Sequence, residues 1–180
     1  MATVPSDDID LRHSPIHGSG VFAHRAFQRG DRVLPIDDSR VVGAEHPLDP
    51  ERGEFDHHQD YLGDRNILMR KPERYINHCC EPNTFVKTLD GVRWVVAYRD
   101  IAANEEITYD YCINSYGDDE WGCSCGHPNC RRVHNTDFFK LSEEKLVEYL
   151  PLLDDWFVEW KGDAVSELRK RFADRIAEAS

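Results

Sequence analysis

Over the first two thirds of the chain the apolar positions fall in short runs broken by Gly, Pro, Asp or Asn, a rhythm too brief for helices and suited to strands joined by turns. From Ser14 to Val42 the pattern is of this kind, as in "GVFAHRAFQRGDRVLPIDD". Residues 43–65, "GAEHPLDPERGEFDHHQDYLGDR", carry prolines and charges with little apolar periodicity, and predict a polar insert with at most a short helix. In "FVKTLDGVRWVVAY" the pair Asp90-Gly91 separates two β-rich runs, and both residues tolerate the positive φ of a type I′ turn, so a hairpin is expected. Another strand is expected in "EEITYDYC", entered through Asn104 at a left-handed turn position.

Beyond about residue 137 the period changes to that of helices. Ser142 is placed to cap a helix whose first turn holds Glu143 and Glu144, near the positive end of its dipole. Leu146, Tyr149 and Leu150 make its apolar side, and Pro151 suits the first turn of a second helix. Asp163 is the expected cap of a third, with Val165, Leu168, Phe172 and Ile176 on one face. That stripe suits packing on the chain's own domain or a dimer seam. The pattern thus predicts a mainly β fold with C-terminal α-helices: a tail over 1–13, a β domain over 14–116, a cysteine segment over 117–136 and a helical appendage over 137–180.

Charge narrows the partners. Twenty-two Lys and Arg stand against 34 Asp and Glu, a net charge of −12 that repels nucleic acid and anionic membranes and favours a basic partner. The start "MATVPSDDID" lacks the basic and apolar regions of an export signal, and no apolar run approaches a membrane span, so a soluble intracellular protein is expected. Six cysteines in a reducing compartment point to metal rather than disulfides. "CSCGHPNC" sets Cys123, Cys125 and Cys130 in a C-x-C-x4-C arrangement typical of thiolate zinc sites, which need a fourth ligand. Cys80, His127 and His134 are the candidates. Cys79 and Cys112 are left over as ordinary thiols with no base beside them.

The ordered set "HGSGVFA", "RYINHCCEPN", "NEEITYDY" and "CSCGHPNC" resembles the SET-domain protein lysine methyltransferases with their cysteine-rich post-SET segment. The resemblance implies small curved sheets in which the Asn-His and Tyr strands are threaded together in a knot-like way. It implies S-adenosylmethionine on one face and a substrate lysine entering an aromatic channel from the other, within a basic protein or peptide. It assigns Tyr111 as the catalytic tyrosine and Tyr109 as the residue that limits methyl number, here to mono- or dimethylation. It places His17, Ser19, Gly20, Arg74, Asn77, His78 and Ser124 about the cofactor, and Cys80 as the fourth ligand of one structural zinc ion. Without that context the two tyrosines are simply neighbours on one strand face, and His78 a core histidine.

Two stretches depart from the family pattern. "RVLPIDD" lacks the aromatic expected after "RGD", and its Pro35 suits an edge strand, with Tyr61 of the insert as a substitute aromatic. "DHHQD", residues 56–60, is poorly spaced for a metal and is expected to be a solvated loop. These departures leave a second reading open, a zinc-stabilised module that binds basic peptides without turnover.

Overall fold

The computed structural model describes residues 7–179. Its main sheet is built from β1 (Ile9–His13), β2 (Ser19–Ala23), β3 (Arg32–Pro35), β7 (Asn77–His78), β8 (Thr84–Leu89), β9 (Val92–Ala97) and β10 (Glu106–Tyr109). The order is β1-β2-β10-β8-β9-β3, with β7 added beside β10. β8 and β9 form the expected hairpin: Asp90 and Gly91 have φ of 53° and 77°, which is what a type I′ turn asks of them. Asn104 takes the left-handed conformation at φ 69° and turns the chain into β10. Pro35 ends the edge strand β3, where a missing N–H leaves no ladder bond unmade.

Three expectations need correction. The tail over 1–13 is in part a strand, because Ile9–His13 pairs along its whole length with Ser19–Ala23 and buries Ile9; residues 1–6 lie outside the described residues. The insert is more ordered than its composition suggests. β4 (Val41–Val42), β5 (Gln59–Leu62) and β6 (Arg65–Leu68) make a separate sheet in which Ile67 and Leu68 are buried. Asp163 does not cap the third helix, which begins one residue earlier and holds Asp163 within its first turn.

The C-terminal helices are α1 (Glu143–Tyr149), α2 (Asp155–Trp160), α3 (Gly162–Arg171) and α4 (Ala173–Ala179). Ser142 caps α1 by accepting from the Lys145 amide, as its position predicts. Val165 and Phe172 are buried with Phe138, Tyr149 and Phe157, and Leu168 and Ile176 pack against them, so the apolar stripe faces its own domain. Cys112 and Ile113, just past β10, belong to the same core. The Tyr149 hydroxyl donates to the Cys80 carbonyl, Lys145 pairs with Glu81, and Thr88 donates to Asp154. The helices are therefore clamped to the segment that carries the Asn-His motif. A short ribbon, β11 (Glu120–Gly122) with β12 (Val133–Asn135), frames the cysteine loop.

Candidate active site

β10 is the hub. Its first half pairs antiparallel with β2 and its second half runs parallel to β7, setting Thr108 beside Asn77 and Tyr109 beside His78. Asn83, from the turn after the Asn-His motif, holds the arrangement from inside. Its amide accepts from the Thr108 N–H at 2.8 Å and donates to the Glu106 carbonyl at 2.8 Å, so a buried side chain stands in for a neighbouring strand.

Tyr109 and Tyr111 bring their rings to 4.9 Å, tilted by 47°. The Tyr111 hydroxyl donates to the Ile76 carbonyl at 2.8 Å, and the Tyr109 hydroxyl is 3.9 Å from the Met69 sulfur, a weak contact. Burial raises the pKa of both phenols and keeps them neutral.

His78 lies edge-on to Tyr111, centroids 5.2 Å apart. Its tautomer follows from one bond: the Tyr111 backbone N–H donates to Nδ1 at 3.2 Å, and a backbone amide can only donate. Burial lowers the imidazole pKa to about 4, so at neutral pH its single proton sits on Nε2. Nε2 is 3.4 Å from the Cys80 sulfur and donates to it. The 3.6 Å approach of Asp110 to Nδ1 is accordingly no ion pair. Asp110 is instead held by Arg131 through two bonds of 2.6 and 2.8 Å, with its carboxylate fully buried.

The sulfurs of Cys80, Cys123, Cys125 and Cys130 lie within 4.8 Å of one another. Cys80 and Cys123 are 3.7 Å apart, close to the ~3.8 Å edge of a tetrahedron with Zn–S bonds of about 2.3 Å. Burial alone would keep the Cys80 thiol protonated, yet the sulfur receives both His78 Nε2–H and the Arg131 backbone N–H, a donor set that suits an anion. Burial also opposes ionisation of Cys125, but backbone donors at Cys80 and His127 with the neighbouring thiols outweigh it and bring that pKa down to about 7. The set fits a structural zinc ion. His127 instead accepts from the Asn129 amide, and His134 sits apart among His78, Tyr111 and Trp121. Cys79 and Cys112 are buried, and burial raises both their pKa values.

The loop before β2 is tied to the same place. Asn77 Nδ2 reaches the His17 and Ser19 carbonyls at 3.2 and 3.1 Å and Glu106 at 2.8 Å. Glu106 also accepts from the Ser14 hydroxyl. Gly20 is required by that packing, since a Cβ there would run into the Glu106 carboxylate and the Ser14 side chain. Its lack of a side chain therefore serves that internal contact. His17 and Ser19 are exposed, as is Ser124 on the cysteine loop. Arg74 reaches the Gly53 carbonyl and His58 Nδ1 of the insert, and its Nε is buried without a partner among the described residues. His58 is thereby held against Arg74 and Tyr75 rather than loose in a solvated loop. Tyr61 is exposed.

A SET domain profile matches residues 18–112, more than half of the chain. The chain belongs to the SET-domain family. Among SET-domain relatives, a histone-lysine N-methyltransferase, H3 lysine-4 specific, from Mycosarcoma maydis is 36% identical over 66% of this chain and 9% of its own length. The histone-lysine N-methyltransferase trithorax of Drosophila melanogaster is 31% identical over 72% of this chain and 4% of its own. The solved structure of KRYPTONITE in complex with mCHG DNA and SAH superposes with a TM-score of 0.52 at 22% identity, over 71% of this chain and 29% of that one, and shares the fold. This SET domain thus spans less than a tenth of these curated relatives. The profile ends at Cys112, so the cysteine loop and helices lie beyond it.

Glu106, Asp110 and Arg131 are positioning residues that sequence reasoning passed over. Asp110 had a signal: between two tyrosines on one strand face, the intervening residue must point the other way, into the core.

Proposed function

We propose that this SET domain transfers methyl groups from S-adenosylmethionine to the side-chain amine of a lysine in a protein substrate, giving mono- or dimethyl-lysine. The observation that carries the reading is the half-buried pair Tyr109–Tyr111 packed against His78, at the end of β10 and just past it, beside the loop held by Asn77. The names of the relatives and the SAH of the KRYPTONITE structure support it. The cofactor is held by the backbone about His17, Ser19 and Gly20, by Asn77 and His78, and by Arg74 and Ser124 at its edges. The unpartnered Arg74 Nε fits a ligand acceptor. When bound, S-adenosylmethionine supplies an electrophilic methyl group and a positive charge.

The chain's task is to present a neutral amine. At pH 7 a free lysine with pKa ~10.4 is neutral in roughly one molecule in a few thousand. Two desolvated phenol rings disfavour the ammonium form, and its proton leaves to water. Tyr111 orients the amine with its hydroxyl, and Tyr109 restricts room for a third methyl. The net charge of −12 draws basic segments, and histones, the substrates named for the relatives, are basic proteins.

The test is incubation of the zinc-loaded protein with labelled methyl donor and basic proteins and peptides, with mass spectrometry of the product. Label on lysine, lost in Tyr111→Phe, is the expected result. Binding of basic peptides with no transfer would overturn it in favour of an inactive module.

A further inference from the structure

His134 is fully buried, yet among the described residues its Nε2 has no hydrogen-bond partner. Buried polar atoms are almost always satisfied, and an exception signals a missing partner. The tautomer can be assigned. The Cys112 thiol donates to the Asn135 carbonyl at 2.9 Å, which leaves its sulfur to accept from His134 Nδ1 at 3.8 Å. The proton therefore sits on Nδ1, and Nε2 carries a bare lone pair. Burial keeps the ring neutral.

No described side chain around it supplies the partner. The ring of His134 lies 4.5 Å from His78, 5.5 Å from Tyr111 and 4.3 Å from Trp121. The proton of His78 is spent on Cys80 and that of Tyr111 on the Ile76 carbonyl. His134, His78 and Asp110 are close enough to suggest a cation site, but the Arg131 guanidinium already occupies the Asp110 carboxylate and would repel one. What fits is an N–H donor at the edge of a flat, uncharged ring, since the enclosure is aromatic and offers no counter-charge.

We propose that His134 Nε2 accepts a hydrogen bond from the exocyclic 6-amino group of the cofactor's adenine, making His134 a specificity-determining residue for the base. The inference rests on the proposed use of S-adenosylmethionine. Trp121, directly opposite His134 in the β11–β12 ribbon and half exposed, then covers the ring pair from solvent.

The test is calorimetric binding of S-adenosylhomocysteine and of its 6-deamino (purine riboside) analogue to the zinc-loaded protein and to His134→Leu and His134→Gln. In the unaltered protein, loss of the 6-amino group should weaken binding about 3- to 10-fold, the size of one neutral hydrogen bond. In His134→Leu the two ligands should bind within about twofold of each other, with the analogue little changed, since only the acceptor is lost. His134→Gln, which keeps an acceptor, should restore part of the preference. Without ligand, His134→Leu should melt higher, because it removes an unsatisfied buried atom. Zinc content and circular dichroism establish that each variant is folded. A preference for the amino group that survives His134→Leu, or an equal loss for both ligands, overturns the inference while leaving the methyltransferase reading intact. Failure of the unaltered protein to bind either ligand removes both.

Discussion

Arg131→Met should destabilise the protein in a way that depends on pH. Asp110 is fully buried, and its carboxylate is satisfied by two guanidinium bonds and the Cys112 amide. Burial raises its pKa and the Arg131 bonds more than offset that, leaving it below the ordinary value. Without the guanidinium an ionised Asp110 would be stranded, which costs about 3–5 kcal/mol for buried pairs that lose one member. The group can escape by taking a proton, and at pH 7 that costs about 4 kcal/mol from an ordinary pKa near ~3.9, at 1.36 kcal/mol per pH unit. The smaller penalty governs, so a loss of about 3–4 kcal/mol is expected at pH 7.

The sign with pH follows. In the unaltered protein Asp110 has a depressed folded pKa, so its contribution is present above the unfolded pKa and lost as pH falls through the folded one. The difference between the two proteins should therefore shrink to about 1–2 kcal/mol near pH 5, where protonating a stranded carboxylate costs little. Urea unfolding at pH 7 and pH 5, with zinc present throughout, measures it. At roughly 2–4 °C per kcal/mol for a domain of this size, the melting shift at pH 7 is about 6–16 °C. Asp110→Asn strands a guanidinium that is still partly open to solvent, so its smaller loss should be flat with pH. A loss under ~1 kcal/mol at pH 7, or one that is equal at both pH values, would refute the buried-pair account.

Cys123→Ser should bind less zinc and lose affinity for S-adenosylhomocysteine with it, because Cys80 is joined through His78 to the Tyr111 backbone; metal content and calorimetry on one preparation check the link, and zinc loss with unchanged affinity would break it. Tyr109→Phe should move the product distribution toward trimethyl-lysine with stability little altered, since its hydroxyl makes only a 3.9 Å contact to sulfur; mass spectrometry reads the result. Glu73 is buried and its pKa is raised by that burial to about 7, so its contribution is full below the ordinary value of 4.5 and is lost as pH rises through about 7. Glu73→Gln should therefore flatten the decline of stability between pH 5 and pH 8, by up to about 3 kcal/mol at the upper end, and an unchanged slope would contradict it.

The strands and turns were legible where local chemistry decides them. Asp90-Gly91 and Asn104 need left-handed conformations that few residues accept, and the alternation around them leaves one register. The β5–β6 hairpin was not legible, because its apolar content is a few side chains and its stability comes from the Arg93 bridge to Asp38 and Asp60, contributed from distant parts of the chain. In the site, the cysteine spacing pointed to the metal, and motif order pointed to the tyrosines. The polar supports were hidden for a physical reason: Asn83, Glu106, Asp110 and Arg131 act by closing bonds between segments, and one strand's sequence does not say which acceptor it will meet.

Those closures explain why eleven consecutive residues, 74–84, carry so much polar chemistry in a buried place. A strand of two residues cannot hold itself against β10 by its own ladder. Asn77 therefore pins the loop before β2, His78 accepts from the Tyr111 amide and donates its Nε2–H to the Cys80 sulfur, Cys80 joins the thiolate set, and Asn83 replaces the missing strand bonds. Because one nitrogen of His78 faces the tyrosine strand and the other the sulfur, the ring cannot turn to favour either without abandoning both. A zinc ion held at the cysteines would in this way be tied mechanically to the placement of Tyr111, and a perturbation at one would be felt at the other through a neutral imidazole of fixed tautomer.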